Sequence, residues 1–457
     1  MQPSSLLKGS PMHQPAAFSR RSFLKLAGAT VSAAFVSPTI IPRHVLAAPG
    51  QAGANDRIAL GMIGAGRRTH QLLGAFRGLP SLPGEVHVVA VSDVWPKKCH
   101  EWIAAFEEKV LKPKKAEVDL PRLVYEDYRE MLDRTDIDAV VITTNDHWHA
   151  LPAIHACQVG KDVYGEKPLS LTVTEGRAMV QATRKYKRVF QVGTQQRSYL
   201  RNRQGCELIR NGRLGKVKEV LCANYWSAKP ASEHELKTEP VPEGLNWDRW
   251  CGQTALVPFS FNRYLTYENP GWQGIREYSG GLLTNWGAHG LDMVQWALGT
   301  DDTGPVEFDV AGIGENEPVI FRYANGVVVK MDSRAANLQG GGHFIGHKGE
   351  MFMNRGKFNT LPIAISKEEI GEGDVQLYKS DNHLQNWIDC IKSREKPVAD
   401  VEIGHRTATI CHICGIVRQL GRKLRWDPVK EVFPGDAEAN SFLSRPQRKP
   451  YQLPDPV

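Results

Sequence analysis

A lysine, a histidine and a pair of glycines carry most of the chemistry that this 457-residue sequence offers. Lys167 stands in Tyr164-Gly165-Glu166-Lys167-Pro168, after a short apolar run that reads as a strand and before a helix opened by Thr172 and Glu175. A lysine fixed between a strand end and a proline turn is held as it must be if its ammonium is to hydrogen-bond a reacting hydroxyl. The plainer reading is a surface charge in an ordinary turn, and the neighbours have to decide. Further along, Gly280-Gly281 leads into a stretch where Asn285, His289 and Asp292 fall on one helical face. Polar groups on an otherwise apolar helix are costly unless they hydrogen-bond or work, so these three are candidate catalytic residues, with satisfied core polar groups as the alternative.

The glycines lie in Ile63-Gly64-Ala65-Gly66-Arg67-Arg68-Thr69, where an apolar strand runs into a turn and then a helical pattern. Gly64 and Gly66 let backbone approach a pyrophosphate whose charge is met by helix N-terminal N–H groups. Thr69 occupies the place of a usual third glycine, so the fingerprint is incomplete. The second strand ends at Asp93, where a carboxylate can accept from both ribose hydroxyls and would repel a 2′-phosphate. That favours NAD, while Arg67 and Arg68 keep NADP open. Thr144-Asn145-Asp146-His147-Trp148-His149 occupies another strand end. Its histidines invite a metal, but no clear third ligand is visible, and the loop position suits nucleotide contact better. Thr144, Asn145, His147, Trp148 and His149 therefore join Glu166, Lys167 and Gln195 as candidate cofactor contacts, and no metal site is assigned.

The elements that must position these groups follow from pattern. Strand-like runs at 57–63, 86–92, 123–125, 139–143, 162–164 and 189–192 alternate with helical segments, which predicts a parallel, doubly wound Rossmann sheet. Ligands bind beyond the carboxyl ends of such strands, where both the 144–149 loop and Glu166-Lys167-Pro168 fall. Alternating runs at 217–226, 306–313, 319–322 and 327–332 then predict an α+β domain with an open, mainly antiparallel sheet. The expected division is 1–48 as a signal, 56–195 as the nucleotide-binding domain and 196–457 as a substrate and oligomerisation domain.

Ser19-Arg20-Arg21-Ser22-Phe23-Leu24-Lys25, a mildly apolar stretch and Val45-Leu46-Ala47 read as a twin-arginine signal. Such a signal implies export of a folded, cofactor-loaded protein to the periplasm or another extracytoplasmic space. The signal carries Lys8, Arg20, Arg21, Lys25 and Arg43 and no acid, so 57 basic residues less these five, against 50 acidic, leave +2 in place of +7. A near-neutral body gives no support for nucleic-acid binding. No later segment has the long uncharged apolar run of a membrane helix. Of the eight cysteines, Cys411 and Cys414 alone have suggestive spacing, and they lack the second pair a zinc site needs, so core cysteines are expected.

The glycine turn, the strand-terminal aspartate, Glu166-Lys167-Pro168, Gly212-Arg213-Leu214-Gly215 and Gly280-Gly281 leading to His289 and Asp292 together resemble the Gfo/Idh/MocA oxidoreductase family. Asn246-Trp247-Asp248-Arg249-Trp250-Cys251-Gly252 and the tail from His383 to Pro450 resemble its exported bacterial branch. The resemblance implies that Lys167 and His289 flank the substrate carbon facing the nicotinamide. Many members of that family carry an aspartate one turn before the histidine, where this chain has Asn285. An amide orients an imidazole but cannot stabilise an imidazolium by charge, so His289 should be a weaker base.

The leading expectation is hydride chemistry on a sugar, polyol or glycoside, with His289 taking the hydroxyl proton and Lys167 polarising the oxygen. Outside the cytoplasm no free NAD pool recycles the cofactor, which implies a tightly held nucleotide reduced and reoxidised in one cycle. An exported NAD-dependent glycosidase working through a transient keto-sugar is the alternative, although the Tyr-Pro-Thr-His of such enzymes is absent. A secreted, non-catalytic carbohydrate-binding module is the contrasting class. The long loop at 227–278 and Trp226 before it hold Trp247, Trp250, Tyr264, Tyr267 and Trp272, which suit sugar faces or the packing of the loop itself. A homo-oligomer is expected.

Overall fold

The structure, a computed structural model, describes residues 57–114, 123–266, 270–455 and 457. The twin-arginine segment and Tyr267 lie outside the described residues. Among those described, no helix is long and apolar enough to cross a membrane.

Six strands, β1 (Ile58–Ile63), β2 (Val86–Ser92), β3 (Leu123–Tyr125), β4 (Ala139–Ile142), β5 (Asp162–Gly165) and β6 (Phe190–Val192), pair in parallel in the order β3-β2-β1-β4-β5-β6. Every residue of β4 and β5 is buried, as befits strands covered on both faces. The winding reverses between β1 and β4, and a crevice at that reversal is where doubly wound sheets bind ligands. Helices α1 (Arg67–Gln71), α2 (Ala150–Gln158) and α3 (Val173–Lys185) follow β1, β4 and β5. Thr172 caps α3, its hydroxyl accepting from Glu175 N at 3.2 Å, which fixes the exit of the Glu166-Lys167-Pro168 turn.

Eight further strands, β7 (Val217–Ala223), β8 (Glu307–Val310), β9 (Val319–Arg322), β10 (Val328–Asp332), β11 (Gly342–Gly346), β12 (Glu350–Asn354), β13 (Lys357–Leu361) and β14 (Leu424–Arg425), form the second sheet. Its order is β13-β12-β11-β7-β10-β9-β8-β14, and only β7 and β10 run parallel, so it is mainly antiparallel as expected. The sequence reading stops short of β11 to β14. On β12 the exposed Phe352 stands between buried Met351 and Met353, so the apolar run hides the alternation, and on β13 only Phe358 and Thr360 face the core over five residues.

One face of this sheet packs on α4 (Leu200–Arg210), α6 (Gly287–Leu298) and α8 (Val401–Leu420); a short helix, α5 (Leu282–Asn285), precedes α6. Cys411 and Cys414 lie in this core as free thiols, and burial pushes the Cys414 thiol up to about 12. Between β13 and α8 the chain returns to the first sheet. Leu384, Trp387 and Ile388 of α7 (His383–Ser393) pack with Leu60, Tyr164 and Val189, and Val192 N donates to Ala399 O at 2.8 Å. The first sheet is thus covered partly by residues that fall between β13 and β14 of the second.

Candidate active site

A cavity of about 730 Å³ lies along the carboxyl ends of β1, β2, β4 and β5 and is closed by Asn285, Trp286, His289 and Arg355. At the end of β1, Gly64 has φ +91°, and a Cβ there would stand 3.0 Å from the backbone of Thr143 and Thr144, so glycine is required. At Gly66 a Cβ would meet nothing within 4 Å, which leaves bare backbone facing open space. Thr69, in place of the third glycine, pins the turn. Its hydroxyl donates to Gly64 O at 2.7 Å and lies 2.6 Å from the Thr143 hydroxyl.

Asp93 holds the same turn from the other side. Its carboxylate accepts from Ala65 N at 2.8 Å and from Trp95 N at 2.9 Å, and burial raises its pKa against those two bonds. Each oxygen keeps a lone pair for a ribose hydroxyl. Bare backbone at Gly64 and Gly66 with a carboxylate one strand away fits a dinucleotide.

The reacting end joins the two sheets. Lys167, at the end of β5, donates through Nζ to Asn285 Oδ1 and to Asn285 O, the latter at 3.2 Å. Burial draws its pKa down to about 8, opposed by Glu166 and Asp146 and reinforced by Arg68 and Arg355. Arg68 pairs with buried Glu166 at 2.7 Å. The helix carrying His289 breaks at Trp286, so Asn285 ends α5 while His289 sits in the first turn of α6. The imidazole is buried, and its Nδ1 has no hydrogen-bond partner among the described residues. Burial, then Lys167 and Arg355, hold it well below the usual histidine range, so the ring is neutral. A neutral imidazole with an unclaimed nitrogen, next to an ammonium poised near neutral pH, can take up and return the proton of a hydroxyl.

Of the residues singled out from sequence, Gly64, Gly66, Arg67, Arg68, Asp93, Thr144, Asn145, Trp148, His149, Glu166, Lys167, Asn285 and His289 line this one cavity. Three do not. Asp292 is fully buried, ion-paired to Arg197 at 2.8 Å and bonded by Thr407, so its catalytic assignment is corrected to a structural one. It shares α6 with His289, but three residues at about 1.5 Å each carry it ~4.5 Å further along the axis and out of the cavity lining. His147 is likewise a packing residue: its Nε2 lies 2.9 Å from Trp250 O, its ring sits among Trp250 and Tyr278, and burial lowers its pKa to about 3. Gln195 stands behind the site and donates to Glu166 Oε1 at 3.2 Å.

His149 ties the two strand-end loops together, its ring nitrogens 2.6 Å from Pro168 O and 3.1 Å from Thr144 O. The aromatic loop divides between the two roles expected of it. Trp247 stacks on Trp250 at 4.4 Å within a separate core cluster, whereas Trp250, Tyr264 and Trp272 also reach the cavity wall. Arg355 and Trp286 are the residues that sequence reading missed. Arg355 lies in the β12–β13 turn with its guanidinium 5.4 Å from the Trp286 ring. Only the turn-forming Asn354-Arg355-Gly356 run hints at it.

A parallel sheet that offers a dinucleotide cradle and a lysine, joined to a mixed sheet whose helix offers a histidine, defines a two-domain nucleotide-binding architecture with one shared cavity. The chain belongs to the Gfo/Idh/MocA oxidoreductase family: the family's NAD-binding Rossmann fold matches residues 58–194 and its C-terminal alpha/beta domain matches residues 207–453. It is 26% identical over 261 residues to levoglucosan dehydrogenase from Pseudarthrobacter phenanthrenivorans, across 53% of this chain and 62% of that protein. It is 33% identical over 166 residues to a glycosyl hydrolase family 109 protein from Shewanella pealeana, across 34% of this chain and 35% of that one. The chain therefore spans less than two thirds of the length of either relative. The structure of aldose-aldose oxidoreductase from Caulobacter crescentus, solved with glycerol, shares the fold at a TM-score of 0.54 and 17% identity, over 81% of this chain and 99% of that one.

Proposed function

We propose that this protein is an NAD-dependent oxidoreductase of a sugar, polyol or glycoside, exported by its twin-arginine signal and working with a tightly held nucleotide that is reduced and reoxidised within one cycle. The observation that carries the reading is Lys167, anchored on Asn285, facing the same cavity as neutral His289, with a dinucleotide cradle at the other end. Gly64, Gly66 and Asp93 would hold NAD, which supplies a hydride acceptor and, in its reduced form, a donor. His289 accepts the proton of the substrate hydroxyl. Lys167 donates a hydrogen bond to the same oxygen and stabilises the negative charge that develops there. Asn285 keeps the ammonium aimed, and the Arg68–Glu166 pair forms the wall beside it. The levoglucosan dehydrogenase relative supports a carbohydrate substrate.

A second outcome of the same chemistry is favoured by the 33% identity to the glycosyl hydrolase family 109 protein. A transient keto-sugar acidifies the neighbouring C–H, so that proton is lost and the aglycone leaves as its alcohol; water then adds across the resulting double bond, and the hydride returns to the carbonyl to give the free sugar. One experiment addresses both. The native protein is denatured and the released nucleotide and its redox state are identified, and intact protein is incubated with glycosides. Co-purified NAD with an oxidised sugar and a reduced acceptor supports the first reading, and free sugar with no net NADH supports the second. Ligand binding with no chemistry, or chemistry that survives Lys167→Ala, refutes both.

A further inference from the structure

A second compartment of about 460 Å³ adjoins the reaction cavity. Gln273, Asn285 and Trp286 line both, so the two meet at the amide that holds Lys167. Beyond that point the walls are Trp226, Lys229, His234, Glu315 and Asn316, none of which serves the nucleotide or the proton transfer. The volume falls within the ~300–1,000 Å³ usual for small-molecule sites.

Trp226 is 37% exposed, yet its ring is firmly seated. A Cβ at Gly281, which has φ +80°, would stand 2.7 Å from the indole, so the bare turn that starts α5 is also what lets this ring lie close. Trp286 stands between the two spaces. Arg355 covers it from the reaction cavity and takes no part in lining the second compartment. The charges of the rim are paired: Lys229 meets Glu315 at 3.0 Å, and His234 Nε2 lies 3.1 Å from Gly274 O. Two indoles bordered by paired charges, an amide and an imidazole suit a ring with apolar C–H faces and hydroxyl edges. They do not suit a phosphate or a carboxylate, for which an unpaired cation would be needed.

We propose that this compartment is a second sugar subsite, so that the substrate is a disaccharide or an aryl or alkyl glycoside. One ring lies between Lys167 and His289, and the adjoining ring lies over Trp226 and Trp286. The inference rests on the reading that Lys167 and His289 act on a sugar hydroxyl, and it adds the size and charge of the substrate: at least two units, neutral in the second.

The test compares the holoenzyme with Trp226→Ala and Trp226→Phe, using D-glucose, D-galactose and N-acetylglucosamine against cellobiose, lactose and diacetylchitobiose. Calorimetry reads binding, and carbonyl trapping reads keto-sugar formation. The expected result is about tenfold or greater preference for one disaccharide over its monosaccharide, lost in Trp226→Ala and largely kept in Trp226→Phe. Retention of the bound nucleotide in both variants shows that they fold. Equal affinity for monosaccharide and disaccharide, or a preference indifferent to Trp226→Ala, overturns the subsite even when keto-sugar forms. A disaccharide preference that depends on Trp226 without any keto-sugar upholds the subsite and refutes the proposed oxidoreductase.

Discussion

Asn285→Asp tests the electrostatics of the reacting end directly, because it sets a carboxylate against the Lys167 ammonium with almost no change of shape. Lys167 Nζ already donates to the Asn285 side chain and to its carbonyl oxygen at 3.2 Å. Two unit charges ~4 Å apart at an effective dielectric of about 20 attract by ~4 kcal/mol. One pKa unit corresponds to about 1.36 kcal/mol, so three units is roughly the ceiling. The existing amide already supplies part of that, and a rise of ~1–2 units is expected. In the wild type burial leaves the ammonium at about 8, so it is charged below that pH and is lost as the pH rises through it. The variant should keep the charge to higher pH, moving the alkaline limb of kcat/KM upward. The same carboxylate favours the imidazolium of His289, now held well below its ordinary value, so the acid limb should also move up. The pH profile of keto-sugar formation reads both limbs. The midpoint for modification of Lys167 by an amine-directed reagent, followed by mass spectrometry, reads the lysine alone. If neither the alkaline limb nor the modification midpoint rises, Lys167 does not sense residue 285 as the geometry requires, and the assignment of the ammonium to the reaction falls.

The remaining predictions concern the supports of the site. Asp292→Asn leaves Arg197 buried with only Asp301 as an ionic partner, and should cost about 2–4 kcal/mol in denaturant unfolding while folded molecules retain kcat. A fall in kcat without loss of stability would return Asp292 to the catalytic set. Gly64→Ala imposes a side chain at φ +91° against the Thr143–Thr144 backbone, with an expected cost of ~1–3 kcal/mol and less nucleotide released per mole on denaturation. Asp93→Asn removes the charge opposed to a 2′-phosphate and one of the two acceptors that hold the glycine turn. The ratio of NADP to NAD affinity, measured on protein stripped of nucleotide, should therefore rise.

The residues that proved legible in the sequence are those whose roles are local. Gly64 and Gly66 mark a turn that only glycine permits, the all-buried runs of β4 and β5 announce a covered parallel sheet, and Thr172 with Glu175 announces a helix start. Pattern failed where the local signal was absent or ambiguous. The strands from 342 to 361 are five residues each and an outward Phe352 masks the alternation of Met351 and Met353, and the 285–289–292 face, read as one polar stripe, is divided by a break at Trp286 and by depth. His147 and His149 are two residues apart in one loop, yet the first packs against Trp250 and the second lines the cavity.

The sequence by itself determined the first sheet, four strands of the second, the glycine cradle and the presence of Lys167 and His289, because backbone conformation and strand period depend on near neighbours along the chain. Only the tertiary structure decided what those side chains are. Lys167 meets Asn285 from 118 positions away and Arg197 claims Asp292 from 95. The protonation of the lysine and the histidine is set chiefly by burial, a property of the surrounding packing that no stretch of sequence carries.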